Sequence, residues 1–147
     1  MKEIVAYQEK AHDQLVDIWY QAVRHTHTFL TEEDIEFYKQ LVQNQALKAA
    51  EVWMELNEHK EPTGFIGLDG VNIEMLFVDP KYHGKGIGSR LIQFAEKIKG
   101  SELKVDVNEQ NEKASAFYKR YGFVQTGRSE VDGSGRPFPL LHLELRK

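Results

Sequence analysis

Residues 82–91 read YHGKGIGSRL, with three glycines in five positions running straight into an apolar helical pattern. Ile87, Leu91, Ile92, Ala95 and Ile98 continue that pattern as one stripe, closed by Gly100. A helix start leaves unpaired N–H groups and about half a positive charge, so a start cleared of side chains suits an anion. The plainer alternative is a strand-to-helix connection whose glycines serve only tight backbone angles or close packing. The preceding strand and the flanking Lys81, His83 and Lys85 favour a phosphate cradle.

Working outward, Ile73–Val78 reads as a strand that stops at Asp79-Pro80, because proline cannot continue a ladder. Upstream of it, "GFIGL" (64–68) and Val52–Leu56 read as two more strands of an antiparallel meander. Leu15, Ile18, Trp19, Ala22 and Val23 mark an amphipathic helix over 12–25. Thr31 and Asp34 have capping-box spacing, which predicts a second helix through Ile35, Tyr38, Leu41 and Val42. The stretch between them, "HTHTFL", reads as a loop. Downstream, Leu103, Val105 and Val107 alternate as a strand, and Ala114, Phe117, Tyr118 and Tyr121 form a helical stripe. Strands near 123–131 and 140–146 finish the chain across "DGSGRPFP". The alternation of helices and strands predicts a mixed α/β fold.

The size of the chain, 147 residues, predicts one domain over 1–147. No apolar run is long enough for a membrane helix, and the charged start argues against an export signal. With no cysteine, the composition fits a cytoplasmic protein and excludes disulfides, cysteine metal sites and a cysteine nucleophile. A net charge of −4 argues against general nucleic-acid binding. His25 and His27 lack the partners a metal site needs, so no metal is expected.

The glycine spacing is not that of a Walker loop, because Gly84-Lys85 is followed by Gly86 rather than Ser or Thr. Nor is it G-x-G-x-x-G, although Asp106 lies 20 residues beyond Gly86 and mimics a ribose-binding acid. A nicotinamide-binding domain is therefore a minor alternative. "LFVDPKYHGKGIGSRLI" instead resembles the central motif of the GNAT N-acetyltransferases, with His83 where that motif has Arg or Gln. "NEQNEKASAFYKRYGF" resembles the family's second motif, in the expected order. "THTFL" and "GRSEVDGSGRPFPLL" resemble the YjaB-like bacterial branch.

The resemblance implies a mostly antiparallel twisted sheet of about seven strands flanked by four helices, splayed between the strands ending near 79 and 108. It implies acetyl-coenzyme A as cosubstrate and a primary amine as acceptor, small molecule or protein, and it is compatible with a homodimer. By the same resemblance His83, Gly84, Lys85, Gly86, Ile87, Gly88 and Ser89 hold the pyrophosphate. Leu76, Phe77 and Val78 meet the thioester and pantetheine, and Asn108 and Asn111 meet the cofactor arm. Tyr118 stands at the general acid position, and Glu74 and Asp106 are candidate bases. His27 and Phe29 would line the acceptor side, with the acidic run Glu32–Glu36 near its mouth. Periodicity alone favours a core tyrosine at Tyr118, which the resemblance reverses, and Asn111 is open to a reading as an N-cap only. His83 leaves a non-catalytic coenzyme A sensor as the alternative class.

Overall fold

The computed structural model describes residues 3–27 and 29–146. In chain order they form β1 (Glu3–Ala6), α1 (His12–Thr26), α2 (Glu32–Leu41), β2 (Glu51–Leu56), β3 (Pro62–Asp69) and β4 (Asn72–Val78). There follow α3 (Ile87–Lys99), β5 (Lys104–Asn108), α4 (Glu112–Tyr121), β6 (Phe123–Ser129) and β7 (Leu140–Leu145). Helix α2 runs on through a π-turn at Val42–Ala46 into a last turn at Leu47–Ala49. Its start is the capping box expected from sequence: Asp34 N–H donates to Thr31 Oγ1, and Thr31 N–H to Asp34. The strand β1 is not legible in the sequence, being four residues long with no turn signal before it.

The strands make one seven-stranded sheet in the order β1-β2-β3-β4-β5-β7-β6. Every neighbouring pair is antiparallel except β4 and β5, which run parallel. That pair meets only at Asn72↔Lys104 and Ile73↔Val105, and beyond these residues the two strands part. A doubly wound parallel sheet, which the nicotinamide alternative requires, is not this topology.

Sequence pattern shows which faces are covered. Residues 63–68 of β3 are all buried, because helices pack on both sides of the strand. On one side Leu15, Ile18, Trp19, Val23 and Ile35 pack with Met54 and Phe65. On the other, Ile87, Leu91 and Ile92 pack with Ile66, Leu68 and Val105. Strand β5 instead alternates exposed and buried residues, so one of its faces is open. Lys104, Asp106 and Asn108 fall on that open face.

A buried ion pair ties α3 to the sheet, beside a more exposed pair between Lys99 and Glu51 at the end of the helix. Glu55 on β2 is 1% exposed, and the Arg90 fork reaches its two oxygens at 2.7 and 2.9 Å. The third nitrogen of Arg90 donates to the Lys85 carbonyl at 2.8 Å, so the same side chain fixes the glycine loop. Removing the cation would strand a buried carboxylate, an outcome that typically costs about 3 kcal/mol or more. Arg90→Met is accordingly expected to lower the urea unfolding midpoint sharply, whereas exposed Lys97→Met should leave it nearly unchanged.

Candidate active site

The glycine loop meets α3 at Gly86, whose φ of 79° is the left-handed conformation that glycine adopts without strain. Gly86 offers no capping side chain, so the first N–H groups of α3 have no side-chain partner there. Gly88 serves close approach instead: a Cβ on it would stand 3.1 Å from the Phe117 ring. A cavity of about 480 Å³ opens here, lined by Leu76, Phe77, Val78, His83, Gly84, Gly86, Ile87, Gly88, Ser89, Asn111, Phe117 and Tyr118. Its wall also carries Lys113 and Arg120, seven residues apart and so on one face of α4.

A second cavity, of about 110 Å³, lies in the gap between β4 and β5 and carries Glu74, Asp106 and Asn108. Both cavities share His27, Leu76, Phe77, Asn111, Ala114 and Tyr118. The gap leaves backbone donors without a strand partner. Asp79 N–H bonds Thr63 O across to β3, and donors alternate sides along a strand, so those of Val78 and Leu76 turn into the gap.

His27 and Asn111 close the site from opposite ends of the chain. Thr26 Oγ1 donates to the Ala22 carbonyl at 2.8 Å, which leaves it to accept from His27 Nδ1, also at 2.8 Å. His27 Nε2 then accepts from Asn111 Nδ2 at 3.3 Å, while Asn111 Oδ1 caps α4 through Ala114 N–H. Asn111 is thus both N-cap and cavity wall. Burial pushes the His27 imidazole down to about 4, so it is neutral near pH 7, as this network requires.

Tyr118 is 6% exposed and packs edge-on against Phe117 and Phe123, yet it borders both cavities. Burial pushes its phenol well above the ordinary range, so it holds its proton. Glu74 is raised by desolvation first, and then by the negative charges of Asp69 and Asp106. Asp106 takes a hydrogen bond from His142 Nδ1 at 2.6 Å.

Several sequence candidates sit elsewhere. Phe29 packs on His27 and Phe138 but does not line either cavity. Lys85 contributes its carbonyl to Arg90 rather than a side chain to the cavity wall. Asn108 borders only the smaller cavity and accepts from Gln110 N–H, a turn bond. The acidic run is not free at the mouth: Glu32 pairs with Arg24 and Asp34 with Arg136. His83, in place of the family Arg or Gln, stands edge-on to His25 with ring centroids 5.6 Å apart. Sequence reading missed Lys113 and Arg120, whose spacing was a usable signal, and His142, whose partner lies on another strand. Among the described residues, no group of three or more His, Cys, Asp or Glu could hold a metal, and no helix is long and apolar enough to cross a membrane.

The family model for the acetyltransferase (GNAT) domain matches residues 15–140. The chain belongs to the GNAT family. It is 44% identical over 131 residues to the peptidyl-lysine N-acetyltransferase YjaB of Escherichia coli strain K12, covering 89% of this chain and 88% of that protein. The solution structure of apo YjaB from Escherichia coli matches with a TM-score of 0.91 at 41% identity, covering 98% of this chain and 97% of that one. The coenzyme A complex of the PaiA N-acetyltransferase from Thermoplasma acidophilum has the same fold, with a TM-score of 0.81 at 20% identity.

The chain is thus an N-acetyltransferase that uses acetyl-coenzyme A, and the sensor alternative gives way. Its residues fit that cosubstrate: the uncapped start of α3 suits the pyrophosphate, and the mostly apolar-walled cavity beside Phe117 suits the pantetheine arm.

The His27 network carries a sign. Its folded-state value lies below the ordinary histidine value of about 6.5, so the stability it contributes is complete above that pH and is lost as pH falls towards 4. The loss is of the order of 3 kcal/mol. Urea unfolding at pH 7.5 and 4.5 should show a clearly smaller drop for His27→Gln than for the unchanged protein.

Proposed function

We propose that the protein acetylates a cationic primary amine, such as a lysine side chain, by direct attack in a ternary complex. One observation carries this reading: the two cavities meet at Leu76, Asn111 and Tyr118, so a thioester in one and an amine in the other can meet there. The named activity of the Escherichia coli relative supports lysine as the acceptor class. The cysteine-free composition suits work in the cytoplasm.

The chemistry follows from the groups at the junction. An amine with a pKa near 10.4 is mostly protonated at pH 7, and deprotonating it costs roughly 4.6 kcal/mol there. Glu74 is the base, because its raised carboxyl lies closer to the working pH than an ordinary one. The N–H groups of Leu76 and Val78 face the developing oxyanion and need no rearrangement as charge builds. Tyr118, still protonated, gives its proton to the departing thiolate. His83, Gly84, Gly86, Ile87, Gly88 and Ser89 hold the pyrophosphate, with Lys113 and Arg120 adding positive charge along the same wall.

Tyr118→Phe should lower kcat about 100-fold or more while keeping the melting-temperature rise induced by acetyl-coenzyme A. Loss of both would instead mark Tyr118 as a packing residue. In Glu74→Gln, the rise of kcat/KM with pH that reports a base losing its proton should flatten; an unaltered profile would remove Glu74 from that role.

A further inference from the structure

The open face of the sheet carries a chain of hydrogen bonds that the acetyltransferase reading does not use. Asp106 on β5 is bonded to His142 Nδ1 on β7 at 2.6 Å, and His142 Nε2 lies 2.6 Å from Ser129 Oγ on β6. Register places them side by side, with Asp106 opposite His142 and His142 opposite Gly127. The imidazole lies over Gly127, where a Cβ would stand 3.3 Å from its Cδ2. The glycine falls at the irregularity in β6 between Gln125 and Gly127.

The polarity of the chain can be assigned. A neutral ring with its lone pair towards the Asp106 carboxylate would place two acceptors 2.6 Å apart, so Nδ1 carries the proton and donates it. Nε2 is hydrogen-bonded to the Ser129 hydroxyl, which donates to it in the neutral ring. The ring is held at both nitrogens, and its N–H claims Oδ1 of Asp106. The other oxygen of Asp106 remains for the acceptor cavity, which Asp106 lines.

We infer that His142, fixed by Ser129 over Gly127, is a positioning residue for acetyl transfer that aims Asp106 at the acceptor ammonium. This rests on the acetyltransferase reading above and deepens it. Glu74 and Asp106 then divide the labour across the gap: Glu74 takes the proton, and Asp106 holds the cation. The arrangement favours acceptors that arrive charged, as a lysine side chain does, over weakly basic amines that arrive neutral.

The test compares the unchanged protein with His142→Leu, His142→Asn and Ser129→Ala. Steady-state kinetics would use a lysine-containing peptide and an arylamine, which is uncharged at pH 7. Melting temperatures with and without acetyl-coenzyme A would be recorded alongside. For His142→Leu, KM for the peptide should rise roughly 10-fold or more, with a smaller change in kcat, and the preference for peptide over arylamine should fall by a similar factor. Asparagine retains an N–H donor for Asp106 and should recover most of the peptide KM, while Ser129→Ala should fall between. Equal losses towards both acceptors, no change in peptide KM, or no rescue by asparagine would overturn the inference. A melting-temperature rise with acetyl-coenzyme A but no acetylation of either acceptor by the unchanged protein would overturn the functional reading, and this inference with it.

Discussion

Strands β4 and β5 share two residue pairs and then separate, and most of what the protein can do follows from that separation. Paired fully, they would consume the backbone donors of Leu76 and Val78 in a ladder and leave no room between Glu74 and Asp106. Parted, they leave polar backbone facing a gap. Such groups are tolerated where a ligand or water completes their bonds. Each strand is anchored on its outer side, β4 by β3 and β5 by β7, so the gap does not propagate into the rest of the sheet.

The gap is held open from both faces. Two apolar clusters, one under α1 and α2 and one under α3 and α4, grip the sheet at different places. The Arg90–Glu55 pair adds a directional tie that also fixes the Lys85 carbonyl, so the glycine loop is set by the same contact that seats α3. Across the opening, the Thr26–His27–Asn111 chain joins the end of α1 to the start of α4. It does so with a neutral histidine, which can donate at one nitrogen and accept at the other. Coenzyme binding, helix seating and strand separation are therefore not independent.

The two faces of the sheet have different roles. Around β3 both faces are covered, and that strand contributes packing. Around β5, β7 and β6 one face carries Val105, Val107, Leu141 and Leu143 into the core, while the other carries Asp106, His142 and Ser129. Polar side chains there cost little, because solvent completes their bonds. A half-covered sheet thus supplies both a stable floor and a chemically furnished surface.

Periodicity and local chemistry were enough to determine the helices, six of the seven strands, the capped start at Thr31 and the uncapped start at Gly86. All of these depend on neighbours within a few residues, and spacing records them. The glycine loop and the Asn-to-Tyr helix were likewise legible as motifs, because backbone approach and helical faces are local. Tyr118 stayed ambiguous between core and site, since one helical stripe serves both. Tertiary structure decided the rest: that Phe29 stands back from the cavities, that the acids of 32–36 are partly spent on Arg24 and Arg136, that His27 meets Asn111, and that Asp106 is held by His142. These partners lie far apart in the chain, and strand register and helix packing bring them together.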